Sequence, residues 1–218
     1  VILAIGHSAR DTFEKLYKKG INMEKKNFSV GVRIEHKQNL INESQYGNKT
    51  KLKLPPAEYK LAYHGEDRSC YTFCMCPGGY IVNASSEDGR LAINGMSYSG
   101  RNGEHADSAI VVAVDEKDFG TKHVLAGMHF QRELEQKAFE LCQGKIPVQF
   151  YGDFKKNVVK DGNQNSGEIE ENETSTEGLH SIKGQYAFAD VNKIFPDAIN
   201  KAIVDGMEQF DSVIPGFA

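Results

Sequence analysis

Cys70, Cys74 and Cys76 are the first side chains in this chain whose type and spacing could do chemistry. Redox dithiols leave two residues between the cysteines, and a zinc ribbon needs a second pair to complete four ligands, so the spacing fits neither. Strand alternation would put Cys74 and Cys76 on one face, where small buried thiols serve as core residues. Downstream, NGMSYSGR is a polar excursion carrying Asn94, Ser97 and Arg101. Arg101 could hold a carboxylate or phosphate through two parallel hydrogen bonds, or could simply be solvated. His105, Asp107 and Ser108 are the residue types of a hydrolytic triad. One crowded loop seldom separates nucleophile, base and orienter, so a hydrolase is discounted. No set of metal ligands is recognised.

The elements that position these residues follow from turn signals and periodicity. Residues 70–114 alternate β-branched and aromatic runs with Pro-Gly-Gly, Glu-Asp-Gly, Asn-Gly and Arg-Asn-Gly, which predicts about four short strands in an antiparallel meander. Pro77-Gly78-Gly79 ends a strand and permits close approach of another backbone or a flat ring. Upstream, VILAIG at 1–6 reads as a fully buried strand, followed by the polar GHSARDT and a helix over FEKLYKKG stopped by Gly20. Ser8 and Asp11 resemble a capping box. Capping alone would explain that loop. The alternative is that a strand's carboxyl end meeting a helix N-terminus binds an anion, with His7 and Arg10 beside a phosphate or a flavin edge.

Further along, 29–36 alternates as a half-buried strand, residues 40–45 form a short helix ended at Gly47, and 59–63 is a strand after the Pro55-Pro56 break. A long helix spans 124–142, with Glu133 four residues before Lys137, and Gly144 closes it before an extended segment at 146–150. Residues 161–178 are polar and acidic and predict a mobile surface loop. A second helical region covers 190–210 with a break at Phe195-Pro196.

With 26 Lys+Arg against 30 Asp+Glu, the formal charge of -4 offers no basic footprint for nucleic acid. Apolar runs are too short for a membrane span, no signal peptide is recognised, and four cysteines without a framework spacing point to a reducing cytoplasm. The missing initiator Met and the abrupt opening strand suggest an excised piece of a larger α/β protein.

LAIGHSARDTFEKL, QYG at 45–47, CPGGYIVNASSEDG, NGMSYSGRNGEHADSA, YGDF and FDSVIPGFA together resemble the bacterial FAD-dependent dehydrogenases, also called NAD(FAD)-utilising dehydrogenases, over nearly the whole chain. The resemblance implies an α+β, largely antiparallel domain flanked by helices, inserted in a Rossmann-like FAD-binding protein. Residues 1–20 would be the return strand, loop and helix of the FAD-binding sheet, 21–150 the sheet-rich core, and 189–218 a C-terminal helical segment. It implies FAD in the intact oxidoreductase, with His7, Ser8 and Arg10 on the flavin side and Asn94, Ser97, Arg101 and His105 toward an unknown small-molecule substrate. The partner would be the rest of the FAD-binding domain. Where relatives tend to show Asn-Ala-Asn-Ser-Ala, this chain has His105-Ala106-Asp107-Ser108-Ala109, which could alter substrate preference or pH response. The competing reading is a non-catalytic domain that binds a small ligand or another protein. Because the Gly-rich fingerprint that holds FAD pyrophosphate is absent from the sequence, this chain by itself is expected to be inactive and to purify colourless. Its visible spectrum tests this: a flavin band near one equivalent would overturn the expectation.

Overall fold

A computed structural model describes residues 2–6, 8–47, 52–159 and 180–218; the expectations for His7 and for a mobile loop at 161–178 lie outside the described residues. The fold is α+β, as the sequence and the resemblance imply. Its framework is a four-stranded antiparallel sheet of β1 (Phe28–Lys37), β2 (Ala62–His64), β3 (Ser69–Cys76) and β6 (His105–Val114) in the order β1-β6-β3-β2. β6 lies at the centre because its sequence, HADSAIVVAV, is close to a continuous small and β-branched run, and its residues are buried or half-buried throughout. β1 runs antiparallel along it from Phe28 opposite Val114 to Lys37 opposite His105.

β4 (Gly79–Asn83) and β5 (Ile93–Ser97) leave the main sheet and pair as a separate hairpin, so the four strands after Cys70 do not all lie side by side. One face of the main sheet is covered by α6 (Asp197–Asp211), whose Ile199, Ile203, Met207 and Phe210 are buried with Ile110 and Val112 of β6. Four such residues at helical spacing supply a continuous apolar stripe, which burial stabilises far more than helix propensity does. The C-terminal IPGFA seals this core. Phe217 lies edge-on to Tyr59 and Phe210, and its carbonyl accepts from His36 Nε2 at 2.8 Å. A second apolar cluster gathers Leu134 and Ala138 of α4 (Ala126–Leu141), Ile146 of β7 (Ile146–Val148), Leu91 and Ile194. α4 carries the expected Glu133–Lys137 pair at 2.9 Å.

Several expectations need correction. Residues 2–6 form no strand, and Ile2 and Leu3 are 95% and 58% exposed, because no described strand offers that segment a ladder partner. α1 (Arg10–Lys18) has Ala9 at its N-cap with no side-chain cap; Asp11 instead takes a surface hydrogen bond from Lys15 at 3.1 Å. The strand expected at 59–63 is only β2, displaced toward His64, and Tyr59 instead turns its ring into the core. Cys74 and Cys76 do not share a face. Between Phe73, opposite Ala109, and Cys76, opposite Asp107, β3 carries one extra residue, and this bulge leaves Cys74 exposed with φ +48° while Cys76 is buried. Three elements were not anticipated: α3 (Glu116–Phe119), α5 (Tyr151–Val159) and β8 (Tyr186–Phe188), the last pairing parallel to β7.

Gly206 sets how closely α6 approaches β3. A Cβ there would lie 2.5 Å from Cys70 Sγ and 2.7 Å from Cys70 Cβ, and the latter is fixed to a strand backbone. Gly206→Ala should gain about 1 kcal/mol of helix propensity but lose about 1–3 kcal/mol to overpacking. The expected net result is a lower urea midpoint, partly restored by adding Cys70→Ala. A higher midpoint for the single variant would mean that α6 can shift outward freely.

Candidate functional site: a glycine turn over a buried ion pair

At the end of β3 the bulge and the Pro77-Gly78-Gly79 turn bring the chain against the stretch 98–103. Gly78 has φ +56°, and a Cβ there would lie 2.1 Å from the Arg101 carbonyl oxygen. The turn is therefore glycine because another backbone crosses it. Arg101 itself has φ +48°, as does Cys74, so a non-glycine residue in a disfavoured left-handed conformation stands before the Gly78 turn on β3 and another in the segment that crosses it. Backbone strain of this kind persists only where the surroundings over-determine it.

Those surroundings are buried polar groups. Arg33, reaching from β1, donates through Nη2 to the Cys74 carbonyl at 2.8 Å and through Nε to Asp107 Oδ1 at 2.6 Å. Its Nη2 also lies 3.6 Å from Cys76 Sγ. Gly78 N donates to Gln38 Oε1 at 2.8 Å, and Ser97 Oγ donates to the Pro77 carbonyl at 2.8 Å. Gln38, the first residue of α2 (Gln38–Tyr46), is held in turn by Asn42 Oδ1 and the Ala57 carbonyl. The hairpin lies directly on the ion pair: a Cβ at Gly95 would meet both Arg33 and Asp107, and one at Gly79 would lie 2.5 Å from Asp107 Oδ2. Burial pushes the Asp107 carboxyl up to about 6 despite the neighbouring Arg33 charge, and pushes the Cys76 thiol up as well.

The structure does not bring all the anticipated site residues together. Asn94, Ser97 and Arg101 belong to the hairpin and its following turn. Asn94 and Arg101 are exposed, and Arg101 pairs with Glu58. His105 is buried at the start of β6, where burial and the Lys37 charge hold its imidazole below the usual value. Arg10 lies inside the molecule, 1% exposed, bonded to Glu135 Oε1 and Oε2 at 2.5 and 2.6 Å and to Glu87 Oε2 at 2.7 Å. Ser8 is exposed at the entry to α1. Arg33, Gln38 and Asp107 as the supports of the turn were missed. Arg33 alternates with Gly31 and Glu35 on the polar face of β1, which reads as solvent-facing until the hairpin is seen to cover it.

A separate cleft of about 670 Å³ runs along the free edge of β1, walled by α4, β7 and α6. Arg33 lies between it and the turn. Among the described residues no group of three or more His, Cys, Asp or Glu could hold a metal, no helix is long and apolar enough to cross a membrane, and all four cysteines are free thiols.

Residues 27–218 match the family described as FAD-dependent protein, C-terminal domain-like, and the chain belongs to that family. It is also similar to an uncharacterized protein of Clostridium beijerinckii, 45% identical over 223 residues, which cover all of this chain but 40% of that protein. The chain thus spans less than half of its relative's length. FAD pyrophosphate does not fit the N-terminal turn of α1: its cap is Ala9, Asp11 adds negative charge, and the Arg10 guanidinium is taken by two carboxylates.

The Asp107 carboxyl has a folded-state value above its unfolded one of about 3.9. The protonated form therefore contributes stability that is present below pH 4 and lost as pH rises through about 6. Asp107→Asn, neutral at every pH, should gain on the parent by about 2–3 kcal/mol between pH 4 and 7. Urea unfolding of both proteins at several pH values checks this. The opposite slope would show that Arg33 holds the carboxylate ionised.

Proposed function

We propose that this chain is the substrate-side domain of a cytoplasmic FAD-dependent oxidoreductase, a dehydrogenase in which the rest of the protein binds FAD and this domain closes over the flavin. The observation that carries the reading is the pair of left-handed residues, Cys74 and Arg101, held in place by buried Arg33 and Gln38 around a glycine turn. Membership of an FAD-dependent family and the much greater length of the Clostridium relative support it. The exposed apolar side chains of Ile2, Leu3, Phe73, Met96 and Tyr98 agree with surfaces that meet the rest of such a protein.

In this reading the FAD supplies hydride acceptance when bound. The chain's own residues bind and orient the substrate: Arg101 offers a guanidinium to an anionic group, while Asn94 and Ser97 lie on the hairpin leading into the same turn. Gln38 and Ser97 fix the turn that carries them. Arg10 acts by setting the position of the opening loop, whose Ser8 remains on the side of the flavin-binding domain.

The full-length protein should purify with FAD and oxidise its substrate with bleaching of the flavin band; protein that takes up no flavin sinks the reading. Arg101→Ala should leave unfolding within about 1 kcal/mol of the parent, because the pair with Glu58 is solvent-exposed. Loss of a charge-assisted contact should weaken substrate binding by about 1.5–3 kcal/mol. Anaerobic flavin-reduction kinetics across substrate concentrations measures this, and an unchanged concentration dependence removes Arg101 from the site.

A further inference from the structure

We infer that the cleft beside β1 is a binding site for one neutral, mostly apolar small molecule bearing a carbonyl-type hydrogen-bond acceptor. The cleft, at about 670 Å³, lies within the range of small-molecule sites. It opens between the two apolar clusters of the fold, with Leu134 and Ala138 of α4 and Ile146 of β7 on one side and Ile203 and Met207 of α6 on the other. A cavity walled by such side chains favours an apolar occupant over water.

The charged groups that line the cleft leave no cation free for an anionic ligand. Arg33 is neutralised by Asp107. Glu35 Oε1 accepts from Ser181 N at 2.9 Å and from Ser181 Oγ. Glu135 is held by Arg10. An anion would be desolvated beside the Glu35 carboxylate without a free countercharge, whereas a neutral ligand would not. Two features ask for a polar atom on that neutral molecule. β1 is an edge strand with no partner on its cleft side among the described residues, so its backbone groups face the space. The Arg33 side chain is 5% exposed and directs Nε and Nη2 to Asp107 and Cys74, while its Nη1 makes no hydrogen bond among the described residues. A carbonyl oxygen could replace solvent as the acceptor for that nitrogen without adding charge.

The inference does not depend on the flavin reading, since it concerns occupancy of the cleft. Benzophenone, a neutral aromatic ketone that inserts into nearby C–H bonds on irradiation, is the probe, and the full-length protein is the target. Photolabelling should saturate, and its adducts should map by peptide mass spectrometry to α4 and β7. 4-Carboxybenzophenone should label at least tenfold less at equal concentration. Ala138→Phe, which fills the space from α4, should lower labelling of β7 at least tenfold with the far-ultraviolet circular dichroism of the parent. Saturable adducts elsewhere, equal labelling by the carboxylate, or no saturation in the parent protein would each overturn the assignment, and these readouts stand even if the filled variant fails to fold.

Discussion

The contact on which the rest of this structure depends is the buried ion pair of Arg33 and Asp107. Its side chains are 5% and 0% exposed, and one Asp107 oxygen, Oδ2, has no hydrogen-bond partner. Removing two charges from water costs several kcal/mol each, and the attraction between them offsets that only with good geometry. The gain from this pair is therefore better sought in what it fixes than in net stability. Arg33 joins the edge strand β1 to the central strand β6 and to the bulge of β3 in a single side chain. The hairpin β4–β5 can settle over it only because Gly79 and Gly95 have no side chains. A larger residue at either position would push the hairpin off the sheet and take the 98–103 turn with it.

A second set of charges performs a different task at the other end of the chain. Arg10 and Glu14 of α1, Glu87 from the loop between β4 and β5, and Arg132 and Glu135 of α4 form one network. The Glu87 carboxyl is held down to about 2, chiefly by its hydrogen bonds from Arg132 and then by Arg10. Isolated surface pairs contribute little, but a network that includes a fully buried guanidinium is costly to break at one member. It tethers α1 to α4, although α1 buries no apolar side chain completely. The opening segment thus has a fixed exit while its own apolar residues remain exposed.

Much of this fold was legible in the sequence where periodicity is long and turn chemistry strong. β1, α4 and α6 each present an extended alternating or helical pattern, and Gly20, Gly47 and Gly144 stop their elements with positive φ as expected. The parallel pair β7–β8 was not legible, because strands of three residues carry no period and their partners lie far apart in sequence. α5 offers little more, with Phe154 as its one fully buried side chain. The face of Cys74 was misread because a single inserted residue reverses strand alternation, and nothing in FCMC announces a bulge. Asn94, Ser97 and Arg101 could be named from turn composition as polar groups of the hairpin and the turn after it, Asn94 and Arg101 exposed and Ser97 half-buried. Their supports could not, since Arg33 and Gln38 are recognisable as interior residues only once a distant hairpin and turn are folded over them.

Asp107 illustrates how far such a support can act. Read as a loop, His105 and Asp107 would be groups that meet a substrate; in the structure both are buried on β6, and Asp107 lies under the hairpin instead. An amide at 107 could accept from Arg33 but would leave its charge unmatched, whereas a carboxyl can match it and can also be protonated. The position of the Cys74 carbonyl is tied to the same guanidinium that bonds Asp107. Protonation of one buried carboxyl therefore bears on the geometry of an exposed turn through a single intervening side chain. The residue acts on the site without touching anything bound there, and its effect is expressed through the backbone it holds.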